Sequence, residues 1–471
     1  MPHAAFAELL EIAGLDRPNA DQVSIEGDDP VFPTPYRIGA AGAASLAAAG
    51  LAAAQIWTQR GGEPQHVSVE LRAAIASLRS ARYLLIDGKP IPAVWDPLSG
   101  FYPVKDGRRI SIHCNFANHR DAAMKVLGVA SERAAAEAAS RTWDGLALED
   151  AIHAAGGAAG LVRSAEDWAR HPQAIAIGGQ PLLEIVRIGD ASPEPFPVAA
   201  RPLAGVRVLD LTRVLAGPTC ARTLAEHGAD VLKISAAHLP DSGLVEIDTG
   251  IGKLSARLDL RAERETQVLR GLVREADVFS QSYRPGTLAE RGFSPEALAA
   301  LRPGIVCVSL SAWGTTGPWR ERRGFDSIVQ CVSGMAHAEG RNYSDGKTPR
   351  LLPVSAIDYV SGYLMAFGAM LALSRRASQG GSWLVRVSLA RTGKWIVDRG
   401  VLAPAALKDV PAELPSSEIA RLCMETDSPN GRIRHLKPVV SMSRTPPRWE
   451  RPPVPLGHHP PVWPAGAINR V

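Results

Sequence analysis

The stretch Leu203–Ile234, LAGVRVLDLTRVLAGPTCARTLAEHGADVLKI, decides the fold. Val206 to Leu211 is β-branched and apolar with little alternation, the pattern of a strand covered on both faces. Leu215-Ala216-Gly217-Pro218 ends that run. Pro218 suits the first turn of a helix, where a missing N–H costs nothing. A short helix around Leu224, a stop at Gly228 and a second strand from Asp230 to Ile234 complete a βαβ unit. The helix start of such a unit offers an anionic ligand free N–H groups and a favourable dipole. The turn is not G-x-G-x-x-G, so it does not read as a nicotinamide site. Taken alone, the unit could belong to any α/β protein.

Outward from this unit, the pattern continues through Leu258–Leu260, helices at 263–274 and 295–301, and strands at Val278–Ser280 and Ile305–Leu310. A glycine- and arginine-bearing loop, Gly314 to Arg323, precedes helices at 326–336 and 358–375. Strands alternating with helices imply a mainly parallel nucleotide-binding-type sheet with flanking helices. Upstream, Phe101–Val104 and Arg109–His113 flank Lys105-Asp106-Gly107, a hairpin signal. Helices at 120–127, 130–139, 146–155 and 164–170 follow, making a smaller α+β domain. The expected division is a degenerate half-copy at 1–95 and a small α+β domain at 96–190. An α/β large domain at 201–400 and a proline-rich tail at 401–471, wrapping the large domain, complete it.

An internal repeat supports the half-copy. Ile38-Gly39-Ala40, Arg60-Gly61-Gly62 and Val69-Glu70-Leu71 parallel Ile357-Asp358-Tyr359, Arg375 with Gly380-Gly381, and Val387-Ser388-Leu389. Each is a small-residue helix, a basic residue, a glycine pair and a strand. Asp358 stands where the first copy has Gly39.

The 471 residues are 46% hydrophobic and 21% charged, enough for a large core, with a net charge of +4. That charge does not suggest nucleic-acid or membrane-surface binding, and it suits a small anionic ligand. Five cysteines without C-x-x-C spacing indicate neither zinc nor a disulfide framework, so a cytoplasmic location is expected. No basic segment leading into an apolar run opens the chain, so no signal peptide is read. The Ala-rich run 39–56 reads as a packed helix and not as a membrane span.

Taken together, PLAGVRVLDLTRVLAGP, GADVLKI, GKLSARLDL, ADVFSQSYRPGTLAERGF, SLSAWGTTGP, RGFDSIVQ and SAIDYVSGYLMAFGAMLALSRR resemble the family III CoA-transferases, the CaiB/BaiF family. They run from Arg201 to Leu389 in the family's order. GAAGLVRSAEDWARHPQ resembles the family's small domain, but it stands before the nucleotide-fold part instead of after it. The chain therefore resembles two incomplete copies fused head to tail. Ordinary members are described as interlocked dimers whose sites lie between two chains. The fusion implies either a homodimer or a monomer that mimics one, with the leading half supplying in cis what a partner supplies in trans.

The resemblance implies transfer of CoA from an acyl-CoA to a carboxylic acid, with no permanently bound cofactor and the CoA thioester as substrate. It maps the nucleophile to Asp358, which forms an acyl anhydride and then an aspartyl-CoA thioester. The alternative role for Asp358 is an ordinary N-cap. CoA contacts map onto Leu215, Ala216, Gly252, Lys253, Ser282, Tyr283, Arg284, Arg323, Gly324, Phe325 and Asp326. Lys253 and Arg284 are expected on phosphate, the alternative being solvated surface charge. Asp326 could instead cap the next helix. This chain departs from the family at Ser235-Ala236-Ala237, Gln281-Ser282 and Glu290-Arg291, and it has no glycine-run flap. Racemases of the superfamily carry His where this chain has Phe325, so racemisation is the weaker reading. A non-catalytic CoA-binding or scaffold protein of the same descent is the other alternative.

Overall fold

The computed structural model describes residues 1–16, 22–91, 95–240, 243, 245–341 and 348–464. The last seven residues of the expected tail lie outside them. Seven strands form the central sheet, in the spatial order Lys253–Arg257, Asp230–Ser235, Arg207–Leu211, Val278–Gln281, Val306–Ser311, Ser382–Ser388, Glu184–Gly189. The first six are parallel, and the last runs antiparallel to its neighbour. Arg207–Leu211 has its successors on opposite sides, Asp230–Ser235 on one and Val278–Gln281 on the other. The strand order reverses there, which opens a crevice at the carboxyl end of the sheet. The helix Ala216–Glu226 begins beside it. The expected α/β class holds.

Two long helices, Ile38–Gln59 and Ala356–Gln379, pack against each other at the centre. Tyr363 Oη donates to Ser77 Oγ (2.9 Å), and Gln59 Nε2 donates to Ser374 Oγ (2.7 Å). Both are long and apolar enough to cross a bilayer, yet 94% and 100% of their most apolar windows are buried inside the protein. Each lies between two strands that pair in parallel: Val23–Glu26 with Val67–Glu70, and Val306–Ser311 with Ser382–Ser388. A helix follows each second strand at once, Leu71–Ser77 and Leu389–Asp398. The repeat seen in sequence is thus a repeat of strand, long helix, parallel strand and helix.

Three boundaries differ from expectation. Glu184–Gly189, assigned to the 96–190 domain, is the edge strand of the large sheet, because its partner is the distant Ser382–Ser388. The strand expected at 258–260 sits earlier, at Lys253–Arg257, where all five residues pair with Val231–Ser235. The tail is more than extended chain. Cys423–Ser428 and Gly431–Leu436 form a hairpin that pairs with Leu85–Ile86, so residues 401–436 and the 1–95 region share a sheet. Beyond it, the tail lies against the outermost strand of the large sheet. His459 N donates to Ser255 O (2.7 Å) and Gly252 N donates to Arg451 O (2.9 Å), which covers the sheet's outermost strand.

The small domain is the three-stranded antiparallel sheet Gly100–Pro103, Arg109–Ile112, Ala159–Leu161 with its helices. A buried ion pair, Arg163 with Glu149 (2.5 Å), fixes its last strand. Its helix Pro172–Gly178 reaches the arginine-bearing loop. Gln173 Nε2 donates to Trp313 O (2.8 Å) and Thr316 O (3.0 Å), while its Oε1 accepts from Trp319 N (2.6 Å).

Candidate active site

The second long helix starts at Ala356, and Asp358 is its third residue. The residue preceding the helix is Ser355, which makes no side-chain cap, so Asp358 is not an ordinary N-cap. The capping carboxylate comes from another helix. Asp326 opens Asp326–Val332, and its Oδ2 accepts from Asp358 N (3.0 Å). Its other oxygen accepts from Gln330 Nε2, and Gln330 Oε1 in turn accepts from Leu352 N (2.8 Å). Asp326 does not cap the helix it opens, as the sequence alternative had it; it caps the long helix instead, because its carboxylate reaches Asp358 N.

With that work done by Asp326, the Asp358 carboxylate accepts no hydrogen bond among the described residues, and the residue is 8% exposed. Burial first, and the Asp326 charge second, hold its carboxyl well above the ordinary carboxylate range. Burial also lifts Asp326 to about 6, against the opposing pull of the amides it accepts. Behind Asp358, Tyr359 Oη accepts from Ser80 Oγ (3.0 Å), and Arg222 pairs with Asp248 (2.9 Å), which locks this end of the helix to its neighbours. Gly362 permits the close approach. A Cβ there would lie 2.5 Å from Ala216 O.

Asp358 stands where two cavities meet. One, of about 740 Å³, is lined by Leu215, Ala216, Ser282, Tyr283, Arg284, Arg323, Gly324, Phe325 and five arginines in all, counting Arg213, Arg320 and Arg322. The other, of about 540 Å³, holds Asp326 and walls of Trp95, Leu351, Leu352, Pro353, Val354 and Tyr359. Val214, Leu215, Phe325 and Asp358 face both. Val214 has φ 68°, an outlier for a β-branched residue, and it bends the chain out of the sheet into the helix start. Arg213 N donates to Ser282 Oγ (3.1 Å) and closes that turn.

In the first cavity, Arg213, Arg284 and Arg323 pair with no carboxylate among the described residues. Burial, with Arg284 nearby, holds Arg323 below the usual guanidinium range. Arg322 pairs with Asp150 (2.5 Å) and Arg320 with Glu321 (3.1 Å). Uncompensated guanidiniums in one cleft make a site for a polyanion.

Gly252 and Lys253 do not join this group. Lys253 lies on a strand beneath the helix start and is 2% exposed. It donates to Asp210 Oδ2 and Pro218 O, both at 2.8 Å. Burial lowers it to about 8 even against Asp210. It braces the turn from below and is neither a phosphate ligand nor a surface charge. Gly252 packs on Trp449 of the tail. The other ten residues picked from the sequence surround the two cavities.

Six residues of HCNFANHR, which leads from the small-domain strand into its first helix, also line the cavities and were missed: His113, Asn115, Phe116, Ala117, Asn118 and His119. His113 stacks flat on Phe325, centroids 3.9 Å apart and planes 3° apart. Burial, with His119 beside it, pushes His113 down to about 3. Burial and Arg323, Arg213 and Arg284 push His119 to about 4. Both stay neutral at physiological pH. Two histidines flanking an aromatic between a strand and a helix were the available signal. No cluster of three or more His, Cys, Asp or Glu suits a metal among the described residues.

Residues 203–421 match the family model CoA-transferase family III. An acetyl-coenzyme A transferase, nodX, of Hypoxylon pulicicidum is 36% identical over 203 residues, 42% of this chain and 34% of that protein. The succinyl-CoA–L-malate CoA-transferase alpha subunit of Chloroflexus aurantiacus is 33% identical over 218 residues, 43% of this chain and 50% of that one. An acyl-CoA transferase of Gibberella moniliformis is 28% identical over 355 residues, 66% of this chain and 62% of that one. The chain thus spans less than two thirds of each relative's own length. These matches support the family for the segment that carries Asp358.

Proposed function

We propose, from the family III segment and the two-chambered site, that this chain is an enzyme moving CoA from an acyl-CoA thioester to a carboxylic acid, with Asp358 as nucleophile. The observation that carries the reading is a buried carboxylate without a hydrogen-bond partner, set where a basic cavity meets a largely apolar one. The arginine chamber takes the CoA phosphates and the apolar chamber takes the acyl group. The thioester then lies across Asp358.

The steps follow from that placement. An Asp358 oxygen attacks the thioester carbon, the C–S bond breaks, and CoA leaves as thiolate, giving an acyl-aspartyl anhydride. The thiolate attacks the Asp358 carbonyl and releases the donor carboxylate, leaving an aspartyl-CoA thioester. The acceptor carboxylate attacks that carbonyl and again expels the thiolate. The thiolate takes the new acyl group and frees Asp358. Amides at the start of Ala216–Glu226, which opens on the same cavity as Asp358, would serve as donors to each oxyanion. Burial keeps water from the anhydride. It also withholds hydration from the ionised nucleophile, so the fraction that ionises is reactive.

Walls from 113–119 and from 213–216, 282–285, 320–325 and 358 belong to one chain. We read the chain as a fusion of two incomplete family copies, with the small domain supplied in cis and the assembled site monomeric. Free cysteines fit the cytoplasm, where this reading places the chain. Racemisation is the poorer fit, since Phe325 stands where the superfamily's racemases carry a His and has no group to move an α-proton. The test is mass spectrometry after incubation with acyl-CoA. An adduct on Asp358, trapped as the hydroxamate by hydroxylamine, is expected. Asp358→Ala should lower turnover by about 10³-fold or more while CoA still binds. Turnover surviving in that variant excludes the mechanism.

A further inference from the structure

The proposed reaction uses Asp358 but gives no task to His113, a buried polar group in the acyl chamber. His113 is 6% exposed, is clamped flat on Phe325, and has Trp95 edge-on at 5.9 Å. Its main chain is fixed by N donating to Ala158 O (3.0 Å). Its Nδ1 is sealed from solvent with no partner. A proton on Nδ1 would be an orphaned buried donor, so the favoured tautomer carries it on Nε2. Nε2–H is the ring position left to meet a ligand.

The rest of the chamber says what that ligand is. Its cations are Arg79 and Arg82. Arg79 is already bonded to Glu413 and stacked over Phe32 (4.6 Å), and Arg82 shares the same glutamate (3.6 Å). Asp326 and Asp358 add negative charge at the inner end. Among the described residues, a second carboxylate on the acyl group would meet only cations already shared with Glu413, and two acids facing it. The apolar walls and about 540 Å³ suit a longer hydrocarbon body.

We propose that the acyl chamber selects a bulky, mainly apolar monocarboxylic acyl group bearing an acceptor oxygen along its chain, and that His113 Nε2–H is the group that reads this oxygen. The inference rests on the CoA-transfer reading above and names the substrate class of the same site. It makes His113 a specificity residue, with no part in making or breaking bonds.

The experiment gives the full chain succinyl-CoA, octanoyl-CoA and 3-hydroxyoctanoyl-CoA, and follows both Asp358 labelling and kcat/KM. The expected order is 3-hydroxyoctanoyl, then octanoyl, then succinyl, with steps of about tenfold, the worth of one well-placed hydrogen bond or more. In His113→Phe, which keeps the stack, the ratio of 3-hydroxyoctanoyl to octanoyl kcat/KM should fall to about one. His113→Gln, which keeps a donor, restores part of it. Labelling that is fastest with succinyl-CoA overturns the chamber inference and leaves the CoA-transfer reading standing. Equal losses on both eight-carbon substrates in His113→Phe overturn the role of His113. If none of the three labels Asp358, the CoA-transfer reading falls and takes the inference with it.

Discussion

The starts of the two long helices are built alike and end differently. At the first, Asp29 Oδ1 accepts from Gly39 N (2.9 Å) and Oδ2 from Ala40 N (2.8 Å). At the second, Asp326 Oδ2 accepts from Asp358 N. In both, an acid from elsewhere in the chain caps the helix at the same place in the repeat. Only the second start carries a carboxylate of its own. A Cβ at Gly39 would lie 2.5 Å from Asp29 Oδ1 and 2.7 Å from Leu71 Cδ2. Leu71 is fully buried, whereas Leu389, which follows the strand in the second copy, lines the basic cavity. One scaffold thus gives a sealed start and an open one. Family-like shape alone therefore does not make a site. What makes it is the space beside the third residue, and arginines facing that space.

The strongest way to break this comparison is Gly39→Asp. It restores the residue that the repeat predicts, in a place with no room and with Asp29 alongside. The expected result is a loss of about 3 kcal/mol or more, from overpacking and an unpaired buried charge, read by denaturant unfolding, and no second acyl adduct. A stable variant labelled at residue 39 would mean that the first start is open after all.

A smaller effect tests the open side. Arg323 is the more enclosed of the two unpaired arginines nearest the loop, and Arg284 is exposed. Arg323→Ala should raise KM for acyl-CoA by about 10- to 100-fold, the range of a charge-assisted hydrogen bond. The cost in Arg284→Ala should be lower and more easily screened by salt. Equal, salt-independent effects would move the phosphates out of this cleft.

How far the sequence revealed these differences depends on how local their causes are. The βαβ unit was legible because its strands are continuous apolar runs and Gly228, at φ 110°, stops the helix. The long-helix repeat was legible from its glycine pairs. Asp358 stood out only through the family's motif, since one acid in a first turn is the commonest kind of cap. That Asp326 does the capping follows from a contact across 32 residues, which no local pattern encodes. Lys253 misled because the resemblance maps it to phosphate and nothing in its local sequence marks it as buried. Its burial depends on Asp210, 43 residues earlier, lying one strand beyond its neighbour in the sheet. His113 and His119 went unread because their meaning comes from Phe325, more than 200 residues downstream.

The smallest expected effect separates the two starts by pH. Burial lifts Asp29 to about 6, as it does Asp326, from an ordinary value of 3.8. A carboxyl whose folded value lies above its unfolded one keeps its proton longer in the native state. Its contribution to stability therefore falls as pH rises from about 4 and levels off above about 6. Replacing Asp29 with Asn removes that loss but gives up one of two amide contacts. Relative to the parent, Asp29→Asn should thus gain about 1 kcal/mol between pH 5 and pH 7, measured as the difference between paired unfolding curves. At the sealed start, ionisation only costs stability, so transfer activity in this variant should keep the parent's pH profile. At the open start, ionisation would create the nucleophile of the proposed mechanism, and the rate should rise with pH through Asp358's raised value. If Asp29→Asn changed the rate profile instead of the stability profile, the two starts would be coupled and the first could not be a sealed counterpart independent of the second.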